Sequence, residues 1–462
     1  MTKTTIYRLA VIVACALLAQ SVLYSQTPPE VVKLRLSFDI TKPRHRTFNP
    51  VSKLLAVQRE DGSVQIIDVT DGREKAVLPL TDKGTCSMQW TKDGLRLLIA
   101  YSKSAALWDA RTGAKLSTTI AIRPDTLTLL LGDLTLSADE KFLLNVKRDE
   151  SIKDIAFDRG KTRAQMWNLE TGQMKFEIKI RGTHSRVQLS PNGKQILTSS
   201  EREENPKLWD VETGRLFATL ETPYRAIFRE GSEAEFTPDG RFVIQTHESG
   251  TYIWHSRSGA LNTMIPFNKD GTDRIVKGFT PDGKMFVTFE GRGGSRSGTY
   301  IELRDCETGE LRTTLTAPKW NDCPSQMVWS HDGRILIAAS GYSKYTGRIW
   351  DVGTGTFKAM FPMVISYSRI PFDFGFRDRD QLGIHPTLPV VSTASNKYLR
   401  LWNAKTGELL QTLDNHGGIG EWSADGRLFL TFAKDLKSAQ VWDVVGADLE
   451  TRPRWATGGQ DR

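Results

Sequence analysis

The side chains able to do chemistry in this chain of 462 residues are few and far apart. Its seven histidines are scattered, and none is paired at i and i+4, so the two-nitrogen grip of a helix face on a metal is missing. No Gly-x-Ser-x-Gly elbow, His-Glu-x-x-His, phosphate-cradling loop or Cys-x-x-Cys occurs. That removes the commonest signatures of hydrolase, zinc-peptidase, nucleotide and dithiol chemistry. The stretch "NKDGTD" (268–273) offers Asn268, Asp270 and Asp273 to a calcium ion. It lacks the later bidentate acid that completes such a loop, and an ordinary polar turn is the simpler reading. Cys306 and Cys323 are close in sequence, but Cys306 follows a strand end and Cys323 falls in a loop at the strand's other end. A strand of five or six residues sets them ~17–20 Å apart, beyond disulfide reach, so free thiols are expected. No catalytic residue, metal or cofactor is expected.

Binding chemistry is better represented. The segment "FPMVISYSRIPFDFGFRDRDQLG" (361–383) mixes Tyr367, Phe372 and Phe374 with Arg369. Aromatic side chains and arginine are the types that anchor protein interfaces. The competing reading is that these aromatics pack beneath their own loop. Further candidates are Trp320 in "TAPKWNDCPSQ" (316–326), Tyr342 and Tyr345 in "SGYSKYTG" (340–347), and Tyr224 and Arg225 in "TPYRAIFREG" (222–231). "GRGGSRSG" (291–298) reads as a linker, and "KRDESIKDIAFDRGKTR" (147–163) as a solvated excursion.

The elements that must position these residues show themselves by repetition. "ALWDARTG" (106–113), "KLWDVETG" (207–214) and "RLWNAKTG" (400–407) are near-copies. The tryptophan place is held by Ile67, Trp108, Trp167, Trp209, Trp254, Arg304, Trp350, Trp402 and Trp442, at intervals of 40 to 59 residues. Seven of the twelve tryptophans therefore share one register. An acid follows in most copies, as at Asp109, Asp210, Asp351 and Asp443, and its carboxylate suits it to accept turn N–H groups ahead of Thr-Gly.

A second marker precedes each of these, as in "FTPDGRFVIQT" (236–246) and "WSADGRLFLTF" (422–432). Asp-Gly between apolar runs is a strong hairpin signal, because glycine accepts the positive φ of a tight reversal. "FNPVSKLLAV" (48–57) and "IHPTLPVVSTA" (384–394) keep the place but lose the Asp-Gly. The run after the turn is apolar on both faces and must be covered on both. The last run of each unit, such as "QMKFEIKI" (173–180), alternates as a half-exposed edge does.

Four antiparallel strands of this kind cannot bury both faces alone, but radial stacking lets each sheet cover the next. The expected fold is all-β: one closed β-propeller of four-stranded blades. Nine repeats give nine blades as the leading count, with eight blades and an irregular unit as the alternative. No outer strand follows "VWDVVGADLE" (441–450), whereas "VVKLRLSF" (31–38) alternates Val32, Leu34, Leu36 and Phe38 with polar residues. That segment is expected to complete the last blade and close the ring.

The units resemble WD40 repeats, which share the apolar-Trp-Asp end and the Ser-Pro-Asp-Gly turn, over about residues 39–446. The Gly-His pair that opens many family repeats is essentially missing; His184 and His416 are the nearest approaches. Arg304 stands for Trp and His255 for Asp. The resemblance implies a platform that binds proteins or peptides across its faces, without a common catalytic residue set.

At the start, Lys3 and Arg8 precede an apolar run from Leu9 to Ala19, followed by small residues and a proline-containing stretch. That order is a secretory signal's, and the run is short for a membrane span. The expected organisation is a signal peptide at 1–25, a linker at 26–30, the propeller at 31–450 and a tail at 451–462. An uncleaved anchor and lipid attachment at Cys15 are the alternatives. The formal charge is +8, and no Lys/Arg run reaches five, so nucleic acid is not an expected partner. The expected protein is exported, non-enzymatic and monomeric, without a stable span once processed, and binds another protein. The alternatives are a glycan- or small-ligand-binding propeller and a propeller-based hydrolase.

Overall fold

The computed structural model of the chain describes residues 31–40, 45–80, 86–101, 104–121, 134–148, 161–182, 185–200, 205–222, 234–247, 249–266, 272–292, 300–317, 324, 326–339, 346–362, 382–394, 398–416, 420–435 and 437–445. The expected signal peptide, linker and tail lie outside these residues. Every regular element described is a β-strand, and the 36 strands form nine four-stranded antiparallel sheets set in a ring. Blades 1 to 8 span 45–78, 87–121, 134–181, 185–219, 235–266, 272–316, 326–362 and 382–414. Each takes its four strands in chain order, from the innermost outward. The nine-bladed count holds.

Blade 9 departs from that rule as expected. Its first three strands lie within 421–444, and its outer strand is Val32–Asp39, paired antiparallel to Ser438–Val444. The simple alternation read from the sequence does not survive here. A bulge between Leu34 and Leu36 breaks the register. Val31 and Val32 pack between blades 8 and 9, Leu36 and Phe38 pack between blades 9 and 1, and Leu34 is left exposed. An extra residue in a strand reverses which face each later side chain meets.

Packing follows from the doubly apolar second strands. Nine clusters of buried apolar residues sit one at each junction between neighbouring blades. In blade 2, Leu97 and Ile99 face blade 1, whereas Leu98 and Ala100 face blade 3. Each such side chain, fully buried, contributes about 1.5–3 kcal/mol. Blade-to-blade burial is thus the glue of the ring, and the outer strands stay largely exposed, as in Arg73–Leu78.

The repeated tryptophans lie on the third strands near these junctions. Trp254 and Trp350 are fully buried. The indole N–H of Trp209, Trp402 and Trp442 donates to Thr198, Thr393 and Thr431 at 3.0, 2.8 and 2.9 Å. Arg304 fills the same place in blade 6, with Nε 2.9 Å from Glu302 Oε2 and Nη1 3.0 Å from the Gly309 carbonyl. A buried guanidinium is tolerated there because it is paired.

Candidate functional site

Strand direction gives the ring two unlike rims. One carries the turns between first and second strands and between third and fourth strands. The other receives the connections between second and third strands and from blade to blade.

The turns of the first rim are closed by their own side chains. In blade 5, Thr237 Oγ1 donates to Asp239 Oδ1 at 2.6 Å and accepts the Phe242 N–H at 3.1 Å. The same hydroxyl–acid pair recurs at Thr91–Asp93, Ser137–Asp139, Thr280–Asp282, Ser330–Asp332 and Ser423–Asp425, and at Ser190–Asn192 an amide oxygen takes the acid's place. The Thr91 hydroxyl and the Leu95 amide hold the Asp93 carboxyl below the usual carboxylate range. The two copies without Asp-Gly use other caps. Asn49 Oδ1 accepts the N–H groups of Val51 and Ser52, both at 2.9 Å. His385 Nδ1 accepts those of Thr387 and Leu388, at 3.1 and 2.8 Å.

The second set of turns holds the repeated acids. Asp109 Oδ1 accepts the Arg111 and Thr112 amides at 2.8 Å. Asp210 takes Thr213 and Asp351 takes Thr354 in the same way. Asp443, whose blade takes its outer strand from Val32–Asp39, is paired instead with Arg35 at 3.0 Å. The glycine that follows is doubly required. Gly214 has φ +69°, and a Cβ there would stand 2.5 Å from the Phe176 ring of the preceding blade. This rim is therefore spent on structure: its acids cap turns and its glycines seat one blade on the last.

One feature of these turns had no counterpart in the sequence reading. In seven blades the pairing of third and fourth strands slips by one at the tryptophan place, as between Ile253 and Trp254 or Leu303 and Arg304. In six of these blades the signal was a large apolar residue two places after the turn glycine, as in "TGRL" and "TGEL".

Every proposed partner-binding residue lies outside the described residues: Tyr224 and Arg225, Trp320, Tyr342 and Tyr345, and Tyr367, Arg369, Phe372 and Phe374. The strands that flank them are described, and all end on the second rim. Trp320 lies between the last strand of blade 6 and the first of blade 7, Gln326–Trp329. Tyr342 and Tyr345 lie between the second and third strands of blade 7, Ile335–Ala339 and Thr346–Asp351. The 363–381 segment leaves blade 7 after its last strand, Thr356–Pro362. Three of the four candidate segments thus adjoin blade 7, and the fourth joins blades 4 and 5.

The chemistry considered from the sequence meets the structure as follows. Asn268 and Asp270 are outside the described residues, and so is Cys323. Cys306 is buried and free, with its thiol pushed up by burial; Cys86 is also buried. Among the described residues no three His, Cys, Asp or Glu side chains gather in a way that could hold a metal. Among them, too, no helix is long and apolar enough to cross a membrane. His416 is buried against Trp442, at 5.7 Å between ring centroids, and its Nδ1 has no hydrogen-bond partner among the described residues.

No family model matches the chain, and no curated protein does. Solved structures do. A crystal structure of a eukaryotic initiation factor superposes with a TM-score of 0.58 and 16% identity, over 86% of this chain and 94% of that one. The C-terminal WD40 domain of Sif2 gives 0.49 and 11%, over 90% and 99%. Together with nine sheets in a ring, the first likeness identifies the fold of this chain as a β-propeller.

Proposed function

We propose that the protein is an exported, non-enzymatic scaffold that binds a protein or peptide partner through the rim carrying its irregular connections, around blade 7. The observation that carries this reading is the contrast between rims. One is closed by its own caps and glycines, while the other receives every long connection, three of the aromatic- and arginine-bearing ones at blade 7. Binding on rigid scaffolds concentrates on such loops, and WD40-type propellers typically serve as interaction platforms. Export rests on Lys3, Arg8 and the apolar run that follows them.

Cross-linking of the intact chain to its partner in envelope extract, read by mass spectrometry, tests the assignment. Partner cross-links are expected within 316–383 and not at the capped turns. Cross-links confined to the capped rim would overturn the surface assigned, and recovery of the chain only from the cytoplasm would overturn export.

A further inference from the structure

Blade 9 lacks the turn that joins third and fourth strands elsewhere, because its fourth strand comes from the other end of the described chain. In the other eight blades the residue after the Trp-Asp place is buried beneath that turn, from Val69 and Ala110 to Cys306 and Ala404. In blade 9 that residue, Val444, is only half-buried, and Val445 beside it is 49% exposed. A groove of about 540 Å³ lies here, between blades 9 and 1 on the capped rim. The groove is open to solvent, with room for a molecule of a few carbon atoms.

Its lining is mixed in a directed way. Val444 and Val445 supply an apolar side, over the buried Leu428. Arg35, Lys53 and Arg427 supply three cations, against Asp443 as the acid in the lining. Two of the cations are engaged: Arg35 pairs with Asp443 at 3.0 Å, and Lys53 with Asp425 at 2.7 Å. The guanidinium of Arg427 is exposed and has no hydrogen-bond or ion-pair partner among the described residues. Thr70 adds a hydroxyl at the blade 1 side, its own hydrogen donated to Asp68 and its lone pairs left to accept.

We propose that this seam groove is a binding site for a small organic anion, a carboxylate on a short apolar body. Arg427 takes the carboxylate, since the guanidinium fork matches its two oxygens, and Val444 and Val445 take the body. The arrangement belongs to the place where the ring closes, so the eight other turn rims do not reproduce it.

Titration calorimetry on the purified intact chain tests this with butyrate as the probe and inorganic phosphate as the contrast. Saturable butyrate binding is expected, with phosphate at least tenfold weaker because it has no apolar body. Arg427→Gln should weaken butyrate at least tenfold. Lys194→Gln, at the corresponding turn position of blade 4, should leave it unchanged. Asp443→Asn should tighten it several-fold by removing the acid and releasing Arg35, an effect no loss of folding produces. No saturable heat at millimolar butyrate overturns the proposal. So does equal binding by Arg427→Gln, weaker binding by Asp443→Asn, or phosphate binding as tightly as butyrate.

Discussion

Lys53 Nζ stands 2.7 Å from Asp425 Oδ2, an ion pair that joins the first blade to the ninth across the closure of the ring. The carboxylate also accepts the Ser423 hydroxyl at 2.6 Å and the Arg427 amide at 3.2 Å. Partial burial alone would raise its pKa, but Lys53, Ser423 and Arg427 together hold it far below the usual range. A depressed carboxyl adds stability that is complete above its ordinary value of 3.8 and is lost as pH falls below it. Asp332 caps the equivalent turn of blade 7, with no ion pair to a neighbouring blade among the described residues. Asp425→Ala is therefore expected to cost roughly 0.5–1 kcal/mol more than Asp332→Ala, a range that allows for solvent screening. Thermal melts of both variants check this, and the gap should narrow in 1 M salt.

Gln411 is the clasp of the closing strand. Its Oε1 accepts the amides of Val31 and Val32 at 2.8 and 2.9 Å, and its Nε2 donates to the Val32 carbonyl at 2.9 Å. Gln411→Ala should lower stability by about 1–3 kcal/mol, since it leaves backbone groups unpaired. Removing residues 31–38 should cost far more, because blade 9 then exposes its third strand and the Leu428–Phe432 face beside it. Denaturant titration distinguishes the two. Unchanged stability after the deletion would contradict ring closure by this strand.

Much of the ring was legible in the sequence because its signals are local. The tryptophan register, the Asp-Gly and Thr-Gly turns and the alternating 31–38 segment each state a strand or turn within ten residues. What escaped depends on a neighbour. Glu140 occupies a turn place where six other blades have glycine, at φ +58°. Only the fold shows its carboxylate 2.7 Å from Arg96 of the preceding blade. In the sequence His385 belongs only to a copy without Asp-Gly, and only the fold makes it a cap whose Nε2 also meets the Gly426 carbonyl of the next blade at 2.8 Å. The bulge that turns Leu34 outward could not be read from an alternation that continues straight through it.

Glu140 provides a direct test of that turn. A non-glycine residue at positive φ costs roughly 1–2 kcal/mol. Glu140→Gly and Glu140→Ala both remove the contact with Arg96, but only glycine relieves the backbone. Glycine is expected to melt higher than alanine, by the equivalent of about 1 kcal/mol. A melt in which alanine matches or exceeds glycine would contradict the strained conformation.

His385 should make the ring sensitive to mild acid. Its Nδ1 accepts two amide hydrogens, which requires the neutral ring, and burial holds its pKa below the ordinary 6.5. The unfolded chain therefore binds the proton first, so stability is complete above pH 6.5 and declines as pH falls through the window beneath it. His45 and His416 are shifted in the same direction, chiefly by burial. The urea midpoint is expected to drop between pH 7.5 and 5.5, and His385→Asn, a neutral cap, should reduce that drop. An unchanged slope in the variant would assign the sensitivity to the other two rings.

The most direct test of the scaffold is a paired capture from envelope extract. The intact chain would be compared with a variant carrying Tyr367→Ala, Arg369→Ala and Phe372→Ala, and with a capped-rim variant carrying Lys194→Ala and Lys284→Ala. The account predicts a partner held by the intact chain and by the capped-rim variant, and lost from the triple variant while its melting temperature is unchanged. A partner retained by the triple variant and lost from the capped-rim one would contradict it.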